Sequence, residues 1–204
     1  MIIPDSMIVH IAKIFEGEYE IPFNHPNPKI IDVGANVGGF SLWAKYRWPG
    51  ASIDAYEPVL DNFKLLEKNA RSVKSITCHK QAVAKTSGTR KIYYGKHNPG
   101  ECSFHKGHEQ TDNGEDVQTI AASKLPECDI MKIDTEGAEV EIVENLVNWP
   151  KIFLIEYHGE HNRARLNELL KDYVLFYASS TNAYTGILKY AHKDIVKESE
   201  DGQR

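Results

Sequence analysis

Between Met131 and Glu141 the chain reads "MKIDTEGAEVE", with Asp134, Glu136, Glu139 and Glu141 gathered around Gly137. An apolar strand through Ile130, Met131 and Ile133 stops where these carboxylates begin. Asp134 ends the strand and is placed to face a bound reactant. Gly137 gives the following turn access to positive φ. Glu136 and Glu139 fall at a helix start, where unpaired N–H groups and the helix dipole favour a carboxylate by ~0.3–1 kcal/mol each. Glu141 is expected to be solvated. Lys132 shares a strand face with Asp134 because strand side chains alternate. A lysine on a covered strand needs a partner. It either forms a structural ion pair or polarises or deprotonates an acceptor. Glu156 and His158 close a second apolar strand, "FLIEYH". Asp134, Glu156, His158 and Lys132 are therefore the candidate catalytic groups, with Glu136 as a further candidate base. A histidine titrates at about 6.5 when unperturbed, close to the range a general base needs. Asp134 and Glu156, on neighbouring strand ends with His158 nearby, could also hold Mg²⁺ through oxygen ligands and water. No dedicated protein metal centre is assigned.

A second constellation is "DVGANVGG". A dinucleotide loop would need glycines at 34, 36 and 39, and position 36 is Asn. The glycine that lets backbone approach a pyrophosphate is the one that is missing. No G-K-[ST] follows, so there is no phosphate-cradling P-loop. The loop suits a nucleoside without pyrophosphate. Glu57 ends the next strand, at the distance where an acidic residue binds both ribose hydroxyls in nucleotide folds. Its alternative role is to cap the helix that opens at Pro58. With Asp32 beside the glycine loop, the simplest cofactor of this description is S-adenosylmethionine. A nicotinamide enzyme is disfavoured by Asn36.

These residues require a scaffold of alternating strands and helices. "KIIDV", "ASIDAYE", "SITCHKQAVA", "DIMKID" and "IFLIEYH" read as strands. "FSLWAKYRW", "VLDNFKLLEKNARS", "AEVEIVENLVNWP" and "NRARLNELLKDY" read as helices. In the first helix Leu42, Trp43 and Tyr46 can share one side. In the second, Leu60, Phe63, Leu66 and Ala70 form an apolar stripe. Such alternation implies a parallel sheet covered on both faces, with ligands at the carboxyl ends of its strands. The segment "VLFYASSTNAYTGILKYAH" adds an antiparallel hairpin. Residues 1–28 read as a cap, 29–192 as the main domain and 193–204 as a polar tail. Residues 96–116 are polar and Gly-rich, with three of the nine histidines. The spacing of His97, Cys102, His105 and His108 does not match a zinc site, and the expectation is a mobile lid over the acceptor.

The net charge of −5 leaves no general basic footprint for nucleic acid. No apolar run approaches the ~20 residues of a membrane span. The first residues lack a basic region followed by an apolar block, and three scattered cysteines suit free thiols. A cytoplasmic protein is expected.

Together, "IIDVGANVGGFSLWA", "AYEPVLDNFKLLEKN", "QAVAKTSG", "DIMKIDTEGAEVEIVEN" and "FLIEYH", in this order, resemble the FkbM family of S-adenosylmethionine-dependent methyltransferases. The resemblance spans about Glu18 to Tyr190, and "KIDTEGAE" is its most specific piece. It implies a class I methyltransferase fold, a Rossmann-like seven-stranded mixed sheet with helices on both faces and a C-terminal antiparallel hairpin. It also implies methyl transfer to an oxygen of a sugar, a glycolipid or a natural-product scaffold. By the resemblance, Gly34, Asn36 and Gly38 lie under the methionine moiety and Asp32 steadies that loop. Glu57 binds ribose, Gln81 and Ala82 flank adenine, and Asp134 faces the methyl group. The rival expectation is a module that binds the cofactor without transferring the methyl group.

Overall fold

The computed structural model describes residues 1–96, 102–106, 110–180 and 182–196. Strands β1 (Lys29–Val33), β2 (Ser52–Tyr56) and β3 (Ile76–His79) alternate with helices α2 (Gly39–Arg47) and α3 (Leu60–Ala70), and α1 (Ile8–Lys13) precedes them. A side sheet of β4 (Ala82–Ala84), β5 (Gly88–Gly95) and β6 (Gln110–Ala121) follows. Then come β7 (Ile130–Ile133), α4 (Glu139–Glu144), β8 (Ile152–His158), α5 (Glu160–Leu169), β9 (Tyr173–Ala178) and β10 (Thr185–His192). The main sheet has seven strands in the order β3-β2-β1-β7-β8-β10-β9. All pairs up to β7–β8 are parallel, while β10 runs antiparallel to both of its neighbours. This is the mixed sheet with a terminal hairpin that the alternation implies.

Both faces of the central strands are covered, which explains their nearly unbroken apolar runs. On one face Ile31, Val33, Met131, Ile133, Phe153 and Ile155 pack against Ile142 and Val143 of α4 and Leu166 of α5. On the other, Ile30, Ile53, Ile130, Ile152 and Leu154 meet Phe40, Trp43 and Ala44 of α2, with Tyr19 and Trp48. Each fully buried aliphatic chain contributes roughly 1.5–3 kcal/mol. The register pairs Asp32 with Lys132 across β1 and β7. That pairing puts the two buried charges on the α2 face.

Several local expectations are corrected. Tyr46 is 81% exposed, so the inward side of α2 is Phe40, Trp43 and Ala44. In α3 Leu60 is exposed, while Leu66 and Ala70 are buried. That helix opens at Leu60, since Val59 is still extended at φ −74°, ψ 124°. The last third of the expected 96–116 loop is strand: β6 begins at Gln110 and pairs antiparallel with β5. Its "QTDNGED" half carries no apolar alternation, because cross-strand hydrogen bonds rather than a buried face specify it. His97 and His108 lie outside the described residues, and so does part of the expected lid.

Candidate active site

The carboxyl ends of β1, β2, β7 and β8 open onto a cleft of about 1170 Å³, walled on its far side by α1 and by the β9–β10 turn. Its floor is the loop after β1. Gly34 has φ 75°, and a Cβ there would lie 1.8 Å from the Asp134 carbonyl oxygen. Only glycine lets the loop cross the end of β7 this closely. Asn36 also adopts positive φ, 51°. Lys132 fastens the loop from below by donating to the Gly34 carbonyl at 2.7 Å. The same Nζ lies 3.3 Å from Asp32 Oδ1 and 3.5 Å from Asp134 Oδ2. Burial disfavours the charge, but Asp32 and Asp134 overcome this and raise the lysine's pKa. Lys132 is therefore a fixed cation. Asp32, fully buried, also accepts from Ser41 of α2 at 2.6 Å.

Glu57 is buried at the end of β2. Its Oε2 accepts from the Asn36 amide at 2.8 Å and its Oε1 from the Val59 amide at 2.9 Å. It thus ties the glycine loop to β2 and holds the approach to α3, although α3 itself has no side-chain cap. Burial pushes its pKa up to about 7, against the two backbone hydrogen bonds. Each carboxylate oxygen keeps a second lone pair. The Asn36 side-chain Oδ1 is buried on the cleft wall without a hydrogen-bond partner. An orphaned acceptor beside a glycine cradle is what a polar ligand would complete.

Ala82 lines the cleft with Val83 and Ile92. Gln81, just before β4, is not among the lining residues. Gly38, at φ 93°, shapes the start of α2 from outside the lining, and Asp32 acts from beneath it.

At the other end stand Asp134, Glu136, Glu156 and His158. Burial raises Glu156 to about 8, reinforced by the Asp134 charge and partly offset by His158. His158 Nδ1 is 2.9 Å from Glu139 Oε1, and Nε2 is 3.1 Å from Glu136 Oε2. Desolvation opposes the imidazolium, but the Glu139 hydrogen bond and the surrounding carboxylates prevail and raise it to about 10. As it stands His158 is protonated at neutral pH and is not a base.

Glu139 is the residue that sequence reasoning undervalued. It is fully buried and gathers Gly137 N at 2.8 Å, His158 Nδ1 at 2.9 Å, and Thr135 Oγ1 and Asn162 Nδ2 at 3.4 Å each. The only available signal was its position two residues past Gly137. Glu141, expected in solvent, instead accepts from the Lys85 amide at 2.9 Å and from Arg90 at 2.8 Å, joining α4 to the side sheet.

A seven-stranded sheet of this order, with the loops after β1 and β2 lining one cleft, is a class I methyltransferase fold. The Methyltransferase FkbM domain model matches residues 32–177, and the chain belongs to that family. It is 27% identical over 168 residues to Methyltransferase sdnD of Sordaria araneosa, covering 63% of this chain and 64% of that protein. It is 25% identical over 164 residues to the 31-O-demethyl-FK506 methyltransferase FkbM of Streptomyces tacrolimicus, covering 62% and 63%. The chain thus spans somewhat under two thirds of the length of these relatives. The crystal structure of Methyltransferase FkbM from Methylobacillus flagellatus superposes with a TM-score of 0.59 at 15% identity, over 86% of this chain and 47% of that one. Aeropyrum pernix fibrillarin with bound S-adenosyl-L-methionine gives 0.56 at 11% identity, over 90% and 74%. No described helix is long and apolar enough to cross a membrane.

Proposed function

We propose that the chain is an S-adenosylmethionine-dependent O-methyltransferase acting on a hydroxyl of a small molecule or glycan. The observation that carries this is one cleft with the tight Gly34–Asn36 loop at one end and the Glu156 carboxyl group at the other. The sdnD and FkbM names lend the methyltransferase class support. Asn36 and Glu57 would hold the nucleoside, with Ala82 against the base. Gly34 gives close backbone approach, with Asp32 and Lys132 holding its loop rigid. The bound cofactor supplies an electrophilic methyl group on a sulfonium.

What the chain itself must do is hold an acceptor oxygen in line and take its proton. Glu156 is the proposed base. Its carboxylate faces the cleft and titrates near 8, so it exchanges a proton close to neutrality. Burial first, and then the Asp134 charge, keep that pKa high, and Asp134 also helps fix Lys132. His158, as an imidazolium, orients Glu136 instead of accepting the proton. The cleft wall from Tyr184 and Thr185 of the hairpin and from His10 and Lys13 of α1 offers hydrogen-bonding groups to a polyhydroxylated acceptor.

Calorimetry with S-adenosylmethionine and with NAD, followed by label transfer to a panel of glycans and hydroxylated small molecules, tests this reading. Binding of S-adenosylmethionine alone and a labelled acceptor are expected. Binding without transfer to any acceptor would leave a cofactor-binding module, and binding of NAD would overturn the cofactor.

A further inference from the structure

The geometry points to a divalent-cation site formed by Asp134, Glu136 and His158 at the acceptor end of the cleft. One carboxylate oxygen from each acid and one ring nitrogen of His158 lie within 4.8 Å of one another. Two ligands bound at right angles, each about 2.0–2.2 Å from a metal, stand about 3 Å apart. Glu136 Oε2 and His158 Nε2 are 3.1 Å apart. Their present separation already matches that spacing.

A second observation is independent of the ligand distances. Glu139 is fully buried, does not reach the cleft, and binds the opposite nitrogen of the same ring at 2.9 Å. Gly137 N, Thr135 and Asn162 hold that carboxylate in turn. A carboxylate on Nδ1 fixes the ring orientation and aims Nε2 outward, the support a metal-ligating histidine receives. A simple surface ion pair has no need of this buried holder.

Two carboxylates and one imidazole leave several coordination positions open, which suits Mg²⁺ or Mn²⁺ with water and one or two acceptor hydroxyls. The ligand set differs from the pairing of Asp134 with Glu156 that strand order suggests, because Glu136 rather than Glu156 forms the ion pair with His158. The role toward an acceptor rests on the methyltransferase reading, whereas the cation site does not.

The test is Mn²⁺ binding to the full chain after EDTA treatment and dialysis, followed by electron paramagnetic resonance and by calorimetry with MnCl₂. One ion per chain is expected, competed by Mg²⁺. Glu136→Gln, in a half-exposed loop, should weaken binding at least tenfold. Glu139→Gln, which touches no metal, should weaken it 10–100-fold through the histidine. Circular dichroism and binding of S-adenosylhomocysteine establish that each variant is folded. No Mn²⁺ bound at millimolar concentration by the wild type overturns the site, as does binding undiminished in folded Glu136→Gln. Transfer unchanged in the EDTA-treated, metal-free chain, to which added Mn²⁺ still binds, would remove the acceptor role and leave the cation site. Cofactor binding without transfer in the presence of Mn²⁺ would count against the methyltransferase reading alone.

Discussion

Glu57 shows how one side chain can hold a loop and a ligand together. Its two oxygens accept from the Asn36 and Val59 amides, so its removal releases the glycine loop as well as the proposed ribose contact. Hydrogen bonds to charged groups are worth ~1.5–3 kcal/mol each. Glu57→Ala is expected to weaken S-adenosylmethionine binding about 10–100-fold while leaving the far-UV circular dichroism spectrum unchanged, with calorimetry as the measurement. Unchanged affinity in the folded variant would detach Glu57 from the cofactor. At this scale much of the site was legible. Asp134, Lys132, Glu156 and His158 were found because charges where apolar strands end are conspicuous, and the structure brings all four to one cleft. The inner hydrogen-bond layer was not. Glu139 looks like any acid at a helix start, and only tertiary contact with His158 distinguishes it. The state of His158 was hidden for the same reason, since its neighbours come from a different segment of chain.

The elements were legible where burial specifies them and obscure where it does not. The main-sheet strands announce themselves by apolar runs, and α2 and α3 by their place between them. β6 is hidden because half of it is polar and paired through its backbone, and Gln81 misleads because its inward neighbour is Ala82. The loop between β1 and α2 is the element on which the site depends most. It crosses the end of β7 so closely that an added methyl group at residue 34 would meet the Asp134 carbonyl oxygen, and its φ of 75° disfavours any side chain. The Lys132 hydrogen bond to the Gly34 carbonyl would be displaced by the same shift. Gly34→Ala is therefore expected to lower the melting temperature and abolish measurable cofactor binding. Gly88→Ala is a useful comparison for backbone strain without crowding, because Gly88 also has a positive φ, 155°, but a Cβ there has nothing within 4 Å. Equal cofactor affinity in the two variants would show that the loop tolerates the crossing differently from the geometry described.

Across the whole molecule, the cleft stores electrostatic cost, and the pH dependence of stability should reveal it. Glu57 rises from an ordinary 4.5 to about 7, and Glu156 from 4.5 to about 8. For each, the folded state binds protons more tightly than the unfolded chain, so stability falls as pH rises between the two values. His158 rises from 6.5 to about 10. Its contribution is fully present below 6.5 and is lost as pH climbs toward 10, so it acts in the same direction. Asp129, held low by the Lys29 amide and Lys151 against its own desolvation, loses its stabilising charge only under acid conditions. Lys189, lowered by burial, opposes the trend at the alkaline end. Without ligand or metal the melting temperature is thus expected to decline steadily from pH 5 to pH 9. Differential scanning fluorimetry in buffers of matched ionic strength measures it. Glu156→Gln should flatten the part of the decline between about 4.5 and 8, since it removes the carboxyl whose ionisation the fold resists. A melting temperature that climbs over this range in the wild type would mean that the three groups do not carry the charges their surroundings impose. An unaltered slope in Glu156→Gln would place the cost on Glu57 and His158 instead, and with it the proton exchange proposed for Glu156 would be lost.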